Sequence, residues 1–584
     1  MRYLRMLSNS VIAAGVASGY LTALVLQLNP SVAIDPATLI PLALVLFLAY
    51  GANLTVLFYA LIVLRQILAV EVLSPGWLSV RLLSWLCTIA AAGGAGLMWL
   101  NLLGFQDVLD AETRNRMFGG ATLVTVAGLV FLLLGLAHLG RRGGRVSATI
   151  LSATMVLSVG APLMARGPAR QPALPAWPTT SVPDTVSTPP ERRITMLMFD
   201  GASLDVISPA VAAGRLPNIA RIFDQGAVMH LATLRPTQAE PVWSAVATGR
   251  YPMYNGVRSA LIYRVLGGTP IQLLPDYCYA QALVTLGFLT EEAQTASHLS
   301  ARPIWSILSD RGASVGVIGW PLTEPAQAVS GFMVSDAFHR LPEPELALDS
   351  TSSVFPPELL ATLRAARQSP ADPDPVTLVS AMGAPQPVSD YDVRRDRAPL
   401  IADRVHLQLL NALPSNRHLL AVRFPGIDAV GHRFLRYADP SAFGDVSEED
   451  QQRFGLVLEQ YYGFVDTLVG RAMERLLPGD LLLVVSAFGM EPLSPGKRVL
   501  EILAGNPQIS GTHERAPDGF VLAFGDPVAP GRPARASVVD LAPTILYFLG
   551  LPAGRDMDGF ARIDLFTSAF TSDKPVTYIP SYGR

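Results

Sequence analysis

The chain contains 584 residues, of which 50% are hydrophobic and 16% are charged, and its formal net charge at pH 7 is -3. This near-neutral balance, without a cluster of basic residues, argues against a nucleic-acid-binding protein. The sequence has two cysteines, Cys87 and Cys278. We expect no disulfide between them, and neither has the surroundings of a nucleophile or a metal ligand.

Roughly the first 165 residues are almost purely apolar, whereas the rest of the chain has the mixed composition of a soluble domain. A helix needs about 20 apolar residues to cross a bilayer. Five segments approach that length: about 9–28, 37–64, 80–104, 118–139 and 146–165. Residues 1–165 are therefore predicted to form an all-α transmembrane bundle of about five helices.

Loop charges predict the orientation of this bundle, because Lys and Arg favour the cytoplasmic side. Basic residues precede the first span and mark the second and fourth loops: Arg2, Arg5, Arg65, Arg81, Arg141, Arg142 and Arg145. Between the predicted spans on the other side lie only Arg114 and Arg116, beside Asp107, Asp110 and Glu112. The N-terminus is predicted to be cytoplasmic and the part after the fifth span extracytoplasmic. A cleaved signal peptide in place of the first span would leave the same final side.

Ionisable residues are absent from the middle of every predicted span, and His138 lies near a cytoplasmic end. Transporters and proton relays usually need charge within the membrane. The bundle is therefore predicted to anchor the protein in the cell membrane, or to pack against a partner, rather than to conduct a solute.

Residues 166–193 are rich in proline, which predicts a semi-rigid extended linker. From residue 194 onward, apolar runs alternate with amphipathic segments. The runs predict buried strands at 194–200, 314–320, 418–424, 480–486 and 519–525. This alternation favours one α/β domain with a largely parallel sheet over residues 194–584. The less regular region 335–400 is predicted to be an insertion.

Several polar motifs follow the predicted strands. They are MFDGAS (198–203), GRLPNIARIFDQGA (214–227), RPTQAEPVWSAVATGRYPMYNGV (235–257), FPGIDAVGHRF (424–434), DLLLVVSAFG (480–489) and SGTHERAPDGF (510–520). Together they resemble the alkaline phosphatase superfamily, especially its type I phosphodiesterase/nucleotide pyrophosphatase branch. The resemblance covers about 194–560 and implies an alkaline-phosphatase-like α/β domain.

The resemblance also implies metal ligands. Asp428 and His432, in D-x-x-x-H spacing, and His513 match the protein ligands of one metal in the family. Two imidazoles and one carboxylate suit a zinc ion and leave a coordination position open. Asp200 matches a ligand of the second metal, although an Asp at this position can also serve as a helix cap.

The reacting groups of the family are replaced in this chain. Ala239 stands where the family has a nucleophilic Thr or Ser, and a methyl group cannot attack phosphorus. Thr237 is a weak substitute, because two residues of extended chain displace its oxygen by several ångströms. Ala260 stands where the family has an Asn that holds a phosphate oxygen. Losing one such donor typically costs a factor of about 10²–10³ in rate.

The second metal site is also depleted, because Ser486-Ala487-Phe488-Gly489 stands where the family has Ser-Asp-His-Gly. Neither Ala487 nor Phe488 can bind a metal, so Asp200 is the residual second-site ligand. This pattern favours a pseudoenzyme that binds one zinc ion and a phosphorylated ligand or a protein partner. Two alternatives stay open: an active one-metal hydrolase or phospho-group transferase acting on lipid head groups or envelope polymers, and a structural subunit of an envelope complex.

Overall fold

The computed structural model describes residues 1–69, 75–138, 144–170, 190–266, 268–340, 352–381, 397–444, 446–503, 506–513 and 517–583. Most of the predicted linker, parts of the predicted insertion at 341–351 and 382–396, and Arg141 and Arg142 lie outside the described residues. The chain divides into two compact units. The first comprises Met1–Ala173 and Leu261–Ala293, and the second comprises Leu174–Ala260 and Gln294–Arg584.

The N-terminal part of the first unit consists of long apolar helices. Within the described residues, five are long and apolar enough to cross a membrane: Arg2–Leu28, Pro36–Leu68, Val80–Gly104, Ala111–Ala137 and Arg145–Arg166. The second of them contains a π-helical turn at Phe47–Gly51. The predicted all-α bundle is therefore confirmed, and its length and composition indicate membrane association.

A small antiparallel sheet from later in the chain belongs to the same unit. Its strands are Leu261–Val265, Pro270–Ile271 and Leu289–Ala293, and the helix Gln281–Thr285 precedes the last of them. Two buried asparagines at the ends of bundle helices bind this segment. Asn29 donates to the carbonyl of Leu273 at 2.7 Å and accepts from the Leu273 N–H at 3.0 Å. Asn101 likewise donates to the Asp276 carbonyl and accepts from its N–H.

The second unit contains a central mixed sheet. Its strands are β1 (Ile194–Phe199), β2 (Ala227–Ala232), β3 (Val315–Ile318), β4 (Gly331–Val334), β5 (Val354–Phe355), β6 (Leu419–Phe424), β7 (Leu481–Phe488), β8 (Asp518–Phe524) and β9 (Ala536–Ser537). Over the described residues the strand order is β9-β2-β8-β7-β1-β6-β3-β4-β5. The strands from β7 through β4 in this order are parallel, whereas β8 and β5 run antiparallel to their inner neighbours. The predicted α/β fold with a largely parallel sheet is confirmed.

Helices cover both faces of this sheet. Successive strand residues point to opposite sides, so each strand contributes side chains to both apolar cores. Met196 and Met198 of β1 face one apolar core, and Leu197 and Phe199 face the other. The first core receives the helices Ala239–Thr248, Ile304–Asp310 and Leu541–Phe548. The second receives Leu204–Ala212, Pro217–Gln225, Leu360–Gln368, Ala398–Ala412, Gly426–Ala438 and Val457–Glu474.

Shorter elements complete the second unit. They are the helices Pro252–Asn255, Pro375–Ala381, Glu448–Phe454, Pro495–Leu503 and Ser568–Thr571, and the strand pairs Glu491–Pro492 with Gly511–Thr512 and Ala553–Gly554 with Tyr578–Ile579. The first of these strand pairs lies close in sequence to both Gly489 and His513.

Candidate functional site

The motifs converge at the carboxyl ends of three neighbouring strands. Phe199, at the end of β1, is paired with Phe424 of β6 on one side and with Ser486 of β7 on the other. Asp200 directly follows β1, and Asp428 lies in the first turn of the helix that follows β6. Since parallel strands end at the same edge, these side chains meet where ligands commonly bind in α/β sheets.

Asp428, His432 and His513 form a compact group, in which one possible ligand atom from each residue lies within 4.8 Å of the others. Asp428 and His432 are one helical turn apart, so they project from the same side of the helix. The Nε2 atom of His513 lies 2.6 Å from Asp428 Oδ1, and that of His432 lies 3.6 Å from Asp428 Oδ2. The three residues that the sequence assigns to one metal are thus brought together.

Both imidazoles are oriented by backbone carbonyls. His432 Nδ1 lies 2.7 Å from the carbonyl oxygen of Gly511, and His513 Nδ1 lies 3.0 Å from that of Gly489. A proton on Nδ1 that is donated to a carbonyl leaves the Nε2 lone pair free for a metal. The Phe488 ring also packs against His513, with a centroid distance of 4.9 Å. The end of β7 and the residue that follows it therefore position His513.

The electrostatics of this group also suit a cation. Burial raises the pKa of Asp428, but the attraction of His513 and then His432 outweighs it and lowers that pKa to about 2. Burial lowers the pKa of His513, but Asp428 more than compensates, so it lies above its ordinary value. Apart from their mutual contact, Asp428 Oδ1 and His513 Nε2 are buried without a hydrogen-bond partner among the described residues. The three residues therefore fit a zinc ion, which would replace a shared proton.

Asp200 is not part of this group. Its Oδ1 accepts a hydrogen bond from Trp243 Nε1 at 2.7 Å. The Nε of Arg423 donates to Asp200 Oδ2 at 3.0 Å, and Arg423 Nη2 donates to the same oxygen. Asp200 is only 2% exposed. The residue predicted as a residual metal ligand therefore has both carboxylate oxygens bound to protein donors.

Arg423 was not identified in the sequence as a site residue. Burial lowers the pKa of its guanidinium, but the attraction of Asp200, Glu240 and Asp336 raises that pKa above its ordinary range. Burial in turn raises the pKa of Glu240, which lies in the first turn of the helix Ala239–Thr248. A signal was present, because Arg423 is a single charged residue in a strand that is otherwise apolar.

The positions expected to carry catalysis lack suitable groups. Ala239 is the first residue of the helix Ala239–Thr248 and has no hydroxyl. The hydroxyl of Thr237 donates to the carbonyl of Leu234 at 2.7 Å. At the phosphate-donor position, the backbone N–H of Ala260 donates to Gln238 Oε1 at 2.7 Å. The side chain of Ala260 itself offers no donor.

Asp403 holds the helix that carries Asp428 and His432. Its Oδ1 accepts from the backbone N–H of Gly426 at 2.9 Å, and its Oδ2 accepts from the Tyr461 hydroxyl at 2.7 Å. A Cβ atom on Gly426 would lie 2.1 Å from that hydroxyl oxygen. Asp403 and Gly426 therefore fix the first turn of the helix that carries Asp428 and His432. No local pattern in the sequence predicts this contact.

The buried carboxyl of Asp403 should make stability depend on pH. Burial raises its pKa from 3.8 to about 8, although the hydrogen bonds from Tyr461 and Gly426 oppose the shift. The folded chain then keeps a proton that the unfolded chain releases, so the stabilisation is complete below about pH 4 and is lost as pH rises through about 8.

We therefore expect Asp403→Asn to reduce the decline in Tm of the wild-type protein as pH rises through this range. Thermal unfolding followed by circular dichroism at several pH values measures this. Glu474→Gln, on an exposed carboxylate of the helix that carries Tyr461, is the control and should leave the decline unchanged. An equally steep decline in Asp403→Asn would contradict the assignment.

Comparisons with known proteins show the family of the chain. The family model for type I phosphodiesterase / nucleotide pyrophosphatase matches residues 195–519. Among solved structures, murine ectonucleotide pyrophosphatase/phosphodiesterase 5 is 12% identical, with 64% of this chain and 100% of that chain covered and a TM-score of 0.36. The human protein of the same name is 12% identical, with 65% and 100% covered and a TM-score of 0.36.

A third solved structure is phosphonoacetate hydrolase from Sinorhizobium meliloti, which was determined in complex with phosphonoformate. It is 16% identical to this chain, with 52% of this chain and 57% of that chain covered and a TM-score of 0.31. No curated protein matches the chain.

Proposed function

The chain belongs to the type I phosphodiesterase/nucleotide pyrophosphatase family of the alkaline phosphatase superfamily, and we propose that it is a membrane-anchored member that binds zinc but does not turn over substrate. Asp428, His432 and His513 would hold one zinc ion. Its ligand would be a phosphorylated small molecule, a lipid head group or an envelope polymer, or its partner would be another protein. Loop charges favour a cytoplasmic N-terminus and an extracytoplasmic second unit in the cell membrane.

The observation that carries this proposal is the lack of a free hydroxyl at the position where the family has its nucleophile. Ala239 has no oxygen, and the nearby Thr237 hydroxyl is engaged with the Leu234 carbonyl. Two-metal phosphoryl-transfer sites use paired ions to stabilise the attacking and leaving oxygens. Here Asp200 is bound by Trp243 and Arg423 instead, so the second half of such a site is not available.

A bound zinc ion would supply Lewis acidity toward a phosphoryl oxygen. The chain's own residues would hold that ion with two Nε2 atoms and one carboxylate. The carbonyls of Gly489 and Gly511 would keep both imidazoles in the tautomer that binds metal. This arrangement supports recognition of a phosphate group, whereas turnover would also require a nucleophile.

The second candidate is an active one-metal hydrolase or phospho-group transferase that uses an activated water. It is favoured by the retained group of Asp428, His432 and His513. Both candidates predict zinc binding, and they differ only in turnover.

The test uses the full-length protein purified in detergent. We expect about one zinc ion per chain by mass spectrometry of the metal, and no zinc-dependent hydrolysis of bis-p-nitrophenyl phosphate above buffer. Absence of zinc would reject the proposal. Zinc-dependent hydrolysis that Asp428→Ala abolishes would select the second candidate. Asp439→Ala, an exposed carboxylate at the end of the same helix, is the matched control and should retain zinc.

A further inference from the structure

Arg423 lies near the carboxyl end of β6, beside Asp200. It pairs with Met198 in the register between β6 and β1, one residue before each strand ends. Ala421 and Met198 lie in the same apolar core as Ala487 of β7. Because side chains alternate along a strand, Arg423, Asp200 and Ala487 lie on the same face of the sheet. The guanidinium therefore contacts Asp200, the retained ligand position of the second metal, on the face of the sheet that also carries Ala487.

The guanidinium binds Asp200 through its Nε and Nη2 atoms. Its Nε lies 3.0 Å from Asp200 Oδ2 and 3.3 Å from Oδ1, and its Nη2 also donates to Oδ2. The side chains are 12% and 4% exposed for Arg423 and Asp200, respectively. A buried ion pair of this kind is sustained only when each charge is compensated, and the planar fork of Arg matches a carboxylate.

The charge around the guanidinium exceeds what one carboxylate supplies. Glu240 and Asp336 also raise the pKa of Arg423, after Asp200. One carboxylate therefore contacts the permanent cation, and two others attract it. This is the charge pattern of a divalent-cation site, since hard cations take carboxylate oxygens as ligands.

We propose that the Arg423 guanidinium is a built-in cation that stands in for the second metal, so that the centre holds one metal ion and one arginine. The residues around Asp200 do not fit a metal as they stand, because the Asp200 oxygens are occupied and Ala487 and Phe488 offer no ligand. This role of Arg423 rests on the proposed function, because Asp200 belongs to the same site as Asp428, His432 and His513.

Removal of the guanidinium should therefore create a cation site. Without it, Asp200 and Glu240 lose the cation that attracts both of them, and a hard divalent cation would restore the charge balance. Lysine in place of Arg423 keeps a positive charge and should not create the site. Loss of packing alone would not make the variant bind a divalent cation. Cation binding therefore separates the charge effect from a packing defect.

The experiment uses the full-length protein in detergent, stripped of metal and then loaded with one equivalent of zinc per chain, because excess zinc would compete with Mn²⁺ for a newly created site. Mn²⁺ binding is counted by electron paramagnetic resonance and isothermal titration calorimetry. We expect Arg423→Ala to gain one Mn²⁺ per chain relative to wild type, and Arg423→Lys to gain none. The gain should disappear in Arg423→Ala with Asp200→Asn.

Arg535→Ala is the matched control, because Arg535 forms an arginine–carboxylate pair with Asp518 but is 63% exposed. It should gain no Mn²⁺. Equal Mn²⁺ counts in wild type and folded Arg423→Ala would overturn the proposal. If Arg423→Ala does not fold in metal-free buffer, Mn²⁺ should restore its cooperative unfolding transition but not that of the double variant. No restoration would also overturn the proposal.

These outcomes are separate from those of the proposed function. Failure of the proposed function is read on the wild-type protein, as missing zinc or as hydrolysis. Failure of the present inference is read as the difference in Mn²⁺ count between wild type and Arg423→Ala.

Discussion

His513→Ala is expected to remove zinc from the protein and to weaken zinc affinity by at least about 100-fold, since even the loss of an outer-shell partner costs 10–100-fold. His513 is 2.6 Å from Asp428 Oδ1 and would supply one of the two imidazoles. With His513 gone, Asp428 and His432 would be left as a two-ligand site. Competition with a chromophoric zinc chelator measures the affinity of both proteins.

The variant also changes the charge balance of Asp428. The attraction of His513 is the largest influence that holds the pKa of Asp428 below its ordinary value, against the opposing effect of burial. Zinc sites use Cys, His and carboxylate ligands, so a side-chain amide in His513→Gln is expected to recover only part of the affinity. His230→Ala, an exposed histidine on β2, is the control and should bind zinc as the wild type does. Unchanged affinity in His513→Ala would reject the metal site.

The sequence predicts this half of the site better than the other half, for a physical reason. Asp428 and His432 are four residues apart on one helix, so their proximity follows from helix geometry. His513 is distant in sequence, and only the resemblance to the family linked it to the other two. Phe488 is read from sequence as a lost ligand, yet in the structure its ring contacts His513, and the carbonyl of the adjacent Gly489 orients the same imidazole.

Arg423 shows what sequence reasoning cannot supply without strand order. The alternation of side chains along β6 predicts which face of the sheet carries Arg423. Its contact with Asp200, however, requires β6 to lie beside β1. Asp403 is a similar case. It lies on the helix Ala398–Ala412 and accepts a hydrogen bond from the backbone N–H of Gly426. No periodic pattern in the sequence predicts a contact between these two positions.

The fold was predictable at the level of architecture. Apolar runs predicted the strands β1, β3, β6, β7 and β8, and the predicted spans correspond to the five long apolar helices of the described bundle. The place of residues 261–293 was not predictable. Their short strands carry no membrane signature, and they join the first unit through side-chain amides on helices more than 150 residues earlier in the chain.

Asn29→Ala is expected to lower the free energy of unfolding of the first unit by at least about 3 kcal/mol, because three backbone groups lose their partner and each such loss costs about 1–3 kcal/mol. The Asn29 amide satisfies three backbone groups of the segment: the Leu273 carbonyl at 2.7 Å and the N–H groups of Gln272 and Leu273 at 2.9 and 3.0 Å. Asn29 is 1% exposed, so water cannot readily replace it.

Thermal unfolding in detergent and limited proteolysis within residues 261–293 measure this effect. Asn53→Ala is the matched control, because Asn53 is exposed and, within the described part of the chain, its amide donates to the Ala49 carbonyl of its own helix alone. It should change Tm little and leave the cleavage rate unchanged. Equal effects of the two substitutions would show that the Asn29 contacts do not hold the segment. Zinc content should stay the same in both variants, since Asp428, His432 and His513 belong to the second unit. Altered zinc content in Asn29→Ala would instead show that a substitution in the first unit affects the metal site.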